Sequence, residues 1–384
     1  MSDRACGPAG RRRRAVAATA GAGLVGLLLG LAAAAARAGP GLGLPPLPAA
    51  AAGEARRAEL GRQLFFDRGL SSNGTMSCAM CHLPEEGFAS NASRQAVGIE
   101  GRSLRRNAPT VLNVSWLSVL FHDGRESSLE TQAWGPLLHP DEMANPSAGH
   151  LLERLRARPE YRGRFEAAFA GRGASMDTVG GALAAYQRTL VAADSRFDRW
   201  RWGGQREALS AQERRGFDLF TGKAACARCH TVEARHALFT DQRFHVTGAG
   251  TPWQPRGPVV VPLATGVQTT VSPAERAAYE REDAPDHGRW DISQRPEDRF
   301  AFRTPSLRNV SRTAPYMHDG SLPTLQAVVD FYAAGGGPVP DRSPLLRPID
   351  LDGAERQALV AFLKSLDSQA LPSLVRQARQ SRRP

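Results

Sequence analysis

The stretch "MSCAMCHLP", residues 76–84, returns in outline as "AACARCHTV" at 224–232. Each copy is Cys-x-x-Cys-His: Cys78, Cys81 and His82, then Cys226, Cys229 and His230. The only other cysteine of the chain is Cys6. Three chemistries compete for such pairs. A disulfide framework belongs to small exported scaffolds that cannot build a core, and 384 residues suffice for two ordinary domains. A four-cysteine zinc site would use the pairs but has no use for a histidine fixed directly after each. Covalent c-type attachment uses all three residues at this spacing: two thiols add to the haem vinyl groups and the adjacent histidine becomes the proximal iron ligand. The repeat therefore predicts two covalently bound haem c groups.

The repetition spreads outward from the motifs. Upstream, "AELGRQLFFDRGL" (58–70) and "AQERRGFDLFTGK" (211–223) both read as amphipathic helices, the second opened by the capping box Ser210 and Glu213. Downstream, "APTVLNVSWLSVLFHDG" (108–124) matches "TPSLRNVSRTAPYMHDG" (304–320), with Asn113 to His122 and Asn309 to His318 both nine residues apart. Further helices are predicted at 150–169, 176–193, 323–334 and 352–367, the last capped by Asp352 and Glu355. The one convincing strand pattern is "GPVVVPL" at 257–263, within a long loop from 248 to 299. The pattern is mainly α: two haem domains related by duplication, with a boundary near Trp202 to Gln205.

Composition fits a globular protein, 42% hydrophobic and 23% charged, with 38 glycines and 27 prolines that point to generous loops. The net charge of +11 sits at the ends, with +5 in residues 1–38 and +4 after residue 370. The remaining +2 on the body supplies no basic stripe, so nucleic-acid binding is not expected. "RRRRAVAATAGAGLVGLLLGLAAAAARAGPG" joins a basic cluster to an uncharged apolar segment and an Ala36-Arg37-Ala38 pattern. That is the grammar of an export signal, and an uncleaved membrane anchor is the competing reading. Both place the mature chain outside the cytoplasm. The expected organisation is a leader at 1–38, a Pro-rich linker at 39–53, haem domains at 54–203 and 204–370, and a basic tail at 371–384.

Two Cys-x-x-Cys-His motifs together with "RNAPTVLNV", "DGR", "FTDQRFHVTG", "TPSLRNV" and "TAPYMHDGSLPTL" resemble the bacterial di-haem cytochrome c peroxidase family, and within it the MauG-like branch. The resemblance covers roughly residues 55–367. It implies two class I cytochrome c-like domains in pseudo-two-fold relation around a calcium ion. It further implies that hydrogen peroxide reacts at the N-terminal haem while the C-terminal haem relays or stores electrons. The calcium positions of the family fall on Asn107, Thr313 and Pro315, oxygen donors of the kind calcium prefers.

Many members of the family carry a distal histidine between the first motif and "NAPT". Here that segment, "LPEEGFASNASRQAVGIEGRSLRR", has none, and the matching position lies at or near Ile99. The first iron is thus expected to be open, with Gln95 and Met76 as the remaining candidates for a ligand. The resemblance assigns proton movement during O–O cleavage to Glu142, with Gln132 and Pro136 beside it. For the outer ligand of the second haem it points to Tyr332, fourteen residues after His318, with Met317 as the rival. Tyrosinate ligation would lower the potential of that haem.

Two positions depart from the MauG-like pattern: His122 stands where a tryptophan precedes "DGR", and Ala224 where one precedes the second motif. The expected function is peroxide reduction with electrons relayed through the second haem. The donor would be a small redox protein, a cytochrome c or cupredoxin, in the periplasm. The alternatives are a MauG-type oxidase modifying a protein substrate, and a non-enzymatic electron carrier or redox sensor. Membrane contact is expected only if the N-terminal segment stays uncleaved.

Overall fold

A computed structural model describes residues 41–47, 53–90, 93–250, 286–339 and 341–380, with the backbone of 259–264 and 267–271. Eight helices organise these residues: α1 (Glu54–Phe66), α2 (Ala148–Ala157), α3 (Met176–Thr189), α4 (Arg196–Arg201), α5 (Ala211–Thr221), α6 (Leu325–Ala333), α7 (Gly353–Lys364) and α8 (Leu371–Gln380). Shorter helical turns lie between them. The capping boxes at Ser210 and Asp352 form, and the same device opens α3 at Ser175 and α4 at Ser195.

The apolar residues gather in two cores. The first is built on Leu60, Leu64, Leu151, Phe165, Leu183 and Tyr186, the second on Phe197, Leu219, Phe220, Phe239, Leu359 and Phe362. In each, the helix before the motif crosses the last long helix of its half at a glycine. A methyl on Gly61 of α1 would overlap the Ala182 carbonyl of α3, and one on Gly216 of α5 would overlap the Ala358 carbonyl of α7. Glycine is required there because the two backbones touch.

The same asparagine device ends both crossing helices. Asn113, buried and at φ 59°, donates its backbone N–H to Leu190 O and exchanges side-chain bonds of 2.8 and 2.9 Å with Ala192. Asn309, at φ 60°, donates to Leu366 O and accepts from Ser368 N at 2.8 Å. Asparagine tolerates this left-handed backbone and supplies the missing partners. Hence α3 stops at Thr189 and α7 at Lys364, short of the expected 193 and 367. The helix expected at 150–169 is broken at Pro159, which cannot continue the ladder, into α2, a 3₁₀ turn (Pro159–Tyr161) and Arg164–Ala168.

The expected strand exists and is paired: β2 (Val259–Ala264) and β3 (Val267–Val271) form an antiparallel hairpin. A second ribbon joins β1 (Phe244–Val246) to β4 (Ala301–Arg303), with His245 opposite Phe302. Residues 251–258, 265–266 and 272–285 of the expected loop lie outside the described residues, as does the leader. Among the described residues no helix is long and apolar enough to cross a membrane.

Two segments expected to stand apart are packed. Within the linker, Gly43 O accepts from Ala237 N and from the buried Arg308 guanidinium, which also holds Asp198 at 2.8 and 2.9 Å. In the tail, residues 371–380 are α8, whose Leu371, Leu374, Val375 and Ala378 join the first core while Arg379 reaches Glu85 at 3.0 Å.

Candidate active site

Each motif forms a single tight turn, helical at Cys78–Cys81 and 3₁₀ at Cys226–Arg228, which brings both thiols to one side. The four cysteines are free, and burial pushes their thiols up to about 12 (Cys78, Cys226) and about 11 (Cys81, Cys229). They are neutral thiols. His82 Nδ1 donates to Phe88 O at 3.2 Å and His230 Nδ1 to Phe239 O at 2.8 Å. The carbonyls of Pro109 and Pro305 stand beside them as second acceptors. Burial holds both imidazoles below their ordinary pKa, so each is neutral with Nε2 free to bind iron.

Each motif opens onto a cavity. The first, about 490 Å³, is lined by Cys78, Cys81, His82, Gln132, Pro136 and Glu142; the second, about 460 Å³, by Cys226, Cys229, His230, Met317 and Tyr332. Both volumes suit a bound cofactor. Paired thiols, an oriented imidazole and an adjoining cavity in each half fit one covalently attached haem apiece.

The two cavities differ in what faces the histidine. Glu142 is half-buried at the first, and loss of hydration raises its carboxyl pKa, with Asp141 adding to the rise and His139 and Arg125 opposing it. Its segment is fixed by backbone bonds: Glu142 N donates to His139 O at 3.1 Å, and Glu142 O accepts from Ile99 N at 3.0 Å. Ile99 is thus a buried clamp on the glutamate loop. Gln95 turns away, donating to Arg105 O at 3.1 Å, whereas Met76 lines the cavity. Of the lining histidines besides His82, His122 is engaged with Asn107 O at 3.1 Å and His139 is exposed.

The repeat aligns the two far walls residue by residue. Ser128 caps Leu129–Gln132 and Thr324 caps α6, each six residues after the histidine of its His-Asp-Gly turn. Counting fourteen from His122 gives Pro136, and fourteen from His318 gives Tyr332. The position that offers a phenol to the second cavity offers only a pyrrolidine ring to the first. Burial pushes the Tyr332 phenol well above its ordinary pKa, and no carboxylate lines its cavity among the described residues.

Asn107, His122 and Arg303 line both cavities and form the wall between them. Asn107 Nδ2 lies 3.1 Å from Pro315 O, and its backbone N–H donates to His318 O at 2.7 Å. Thr313 stands two residues before Pro315 in the same turn. The Asn107 amide nitrogen donates to Pro315 O and, at 3.3 Å, to Arg94 O, whereas a hard cation would be bound through the amide oxygen. His122 is pushed down to about 3, by burial first and then by His318 and Arg106, and is neutral. Arg106 is held by Asp123 at 2.6 Å and by Asp286 at 2.6 and 2.7 Å. Neither this pair of ion bridges nor Arg303 was singled out from the sequence; only the buried setting marks them.

The di-haem cytochrome c peroxidase family profile matches residues 55–206. The methylamine utilization protein MauG of Methylorubrum extorquens is 40% identical over 329 residues, covering 84% of this chain and 82% of its own. The cytochrome-c peroxidase IdrP1 of Denitromonas iodatirespirans is 39% identical over 327 residues, 84% of each chain. Among solved structures, a MauG-like protein associated with microbial copper homeostasis superposes with a TM-score of 0.68 at 34% identity, covering 85% of this chain and 94% of that one. The diheme peroxidase BthA of Burkholderia thailandensis gives 0.66 at 28% identity, with 82% and 86% covered. A helix-rich, two-core chain with two c-type attachment motifs is a di-haem c-type oxidoreductase. It belongs to the di-haem cytochrome c peroxidase family.

Proposed function

We propose that this protein reduces hydrogen peroxide at the His82 haem, with electrons passing through the haem of His230. The observation that carries the reading is the pairing of Pro136 with Glu142: the first cavity offers no ligand at the register of Tyr332, yet a half-buried carboxyl of raised pKa lines it.

When bound, haem iron supplies the redox centre at which peroxide takes up two electrons. The chain's own groups handle the protons. Glu142 accepts the proton of one peroxide oxygen and returns it to the departing oxygen, and with two further protons and two electrons two waters form from each peroxide. Gln132 and Pro136 shape the wall and limit water beside the carboxylate. In the second cavity Tyr332, whose phenol burial keeps neutral, would be the residue besides His230 that holds the haem iron, bound as phenolate. Met317 is displaced in this role, because thioether ligation favours a high-potential relay whereas phenolate favours the ferric state. Asn107, Thr313 and Pro315 hold a calcium ion between the halves.

The physiological reductant is a small redox protein, cytochrome c or cupredoxin, and the site of action is the periplasm, reached through the leader. Direct oxidation of a protein substrate is less favoured, because no tryptophan lines either cavity among the described residues and position 224 is a buried alanine.

The deciding experiment adds one equivalent of peroxide to the fully oxidised holoprotein and follows optical and paramagnetic resonance spectra. Immediate loss of both ferric signals supports an open first iron coupled to the second haem. Unchanged spectra refute the open site and leave a reductively activated peroxidase or an electron carrier.

A further inference from the structure

Arg303 and Arg308 are buried and Arg106 is half-buried, and two of the three are neutralised. Arg308, 2% exposed, holds Asp198 with two bonds, and Arg106 holds Asp123 and Asp286. Arg303 is different. It is 8% exposed, and its guanidinium reaches only two neutral carbonyls, Phe121 O from Nε at 3.1 Å and Thr304 O from Nη1 at 3.3 Å. Among the described residues it has no carboxylate partner, and burial alone pulls its pKa down to about 10.

A buried cation without a counter-charge is costly to the fold. The backbone nevertheless fixes Arg303 where it is. Its N–H donates to His122 O at 2.8 Å, and β4 is paired with β1 opposite Phe244. The side chain lines both cavities, in the wall that separates them. The missing counter-charge must therefore come from what fills those cavities. Each haem brings two propionate carboxylates, the planar bidentate acceptors that a guanidinium fork matches.

We propose that Arg303 is a shared anion clamp, pairing with a propionate of each haem and raising both iron potentials together. The argument rests on the two-haem reading but on no assumption about peroxide. A fixed positive charge disfavours the ferric state of any iron near it, and one placed between the cavities acts on both. Arg303 is thus a positioning and tuning residue.

The test uses holoprotein in which two haems per chain have first been counted by alkaline pyridine spectra, so that failure of the two-haem reading shows separately. Midpoint potentials of both haems are then titrated spectroelectrochemically in wild type and Arg303→Gln. The expected result is a downward shift of both potentials. Unchanged potentials overturn the clamp, and a shift confined to one haem overturns the sharing. Where the neutral variant does not retain two haems, Arg303→Lys keeps the charge and loses the fork. Its propionate bending bands in resonance Raman are expected to shift for both haems, and bands identical to wild type overturn the proposal.

Discussion

The two halves of this chain share a scaffold and differ in their far walls. Both place a glycine where the motif helix crosses its partner, end that partner on a left-handed asparagine, and tie the motif histidine to a phenylalanine carbonyl. On that common frame the first half lines its cavity with Pro136 and Glu142, and the second with Tyr332 and, among the described residues, no acid. On the proposed reading the repeat keeps what a haem needs in order to be held and changes what decides whether the iron is open. A few side chains at equivalent register then assign reactivity, which makes the comparison easy to break.

The largest expected effect is at Glu142. Glu142→Gln keeps the size and removes the base, and the rate of reaction with peroxide should fall by about 10²–10⁴-fold in stopped-flow measurements. The pH profile carries its own sign. A base must start ionised, and burial raises the carboxyl pKa. The wild-type rate should therefore fall as pH drops through a value above the usual carboxylate range, and that acid limb should be missing in Glu142→Gln. Retention of the limb in the variant would assign it to another group.

Exchanging the register positions should exchange the properties. Tyr332→Phe removes the phenol at that register of the second cavity and should raise the potential of that haem, with loss of any tyrosinate charge-transfer band. Pro136→Tyr should close the first iron and cut the peroxide rate about tenfold or more, the scale of losing a positioned reacting geometry. A Tyr332→Phe protein with an unaltered spectrum would hand the ligand role to Met317.

How far the sequence spoke for itself follows the range of the interactions. The attachment motifs, the matched blocks around Asn113 and Asn309, and the capping boxes at Ser210 and Asp352 were legible because each is local and chemically distinctive. Ribbon β1–β4 was not, since three residues per strand are too few to show alternation. The break at Pro159 was visible as a proline but read through as helix. Docking of Gly43 under Arg308, the burial of α8 and the isolation of Arg303 depend on partners far away in the chain, which no local pattern announces.

The helix α8 breaks the symmetry in a testable way, because it follows the second half in sequence yet packs on the first core. Truncation after Ala370 exposes the contacts of Leu371, Leu374, Val375 and Ala378. The expected loss is about 3 kcal/mol, one large buried side chain plus partial ones at roughly 25 cal/mol per Å². Hydrogen exchange should locate the lost protection in α1, α2 and α3 and spare α5 and α7. Equal loss in both halves would mean that the two cores unfold as a single unit.

The finest comparison is between Gly61 and Gly216. Each meets a carbonyl of the crossing helix, Ala182 or Ala358, with Tyr186 behind the first and Phe362 behind the second. Alanine has the better helix propensity, so on an isolated helix the substitution would stabilise. Here the added methyl has no room, and each variant should lose about 1–3 kcal/mol in denaturant unfolding as the helices are forced apart. The two need not respond alike. A methyl at Gly216 would come within 2.7 Å of Cβ of Phe362, fully buried among Phe197, Phe217 and Phe220, whereas one at Gly61 would lie 3.0 Å from Cβ of Tyr186, which packs against Phe65 and Phe66. The closer approach to a fully buried aromatic cluster leaves less room to relax. Gly216→Ala is therefore expected to be the more damaging, and an equal or reversed order would show that the first crossing is the stiffer of the two.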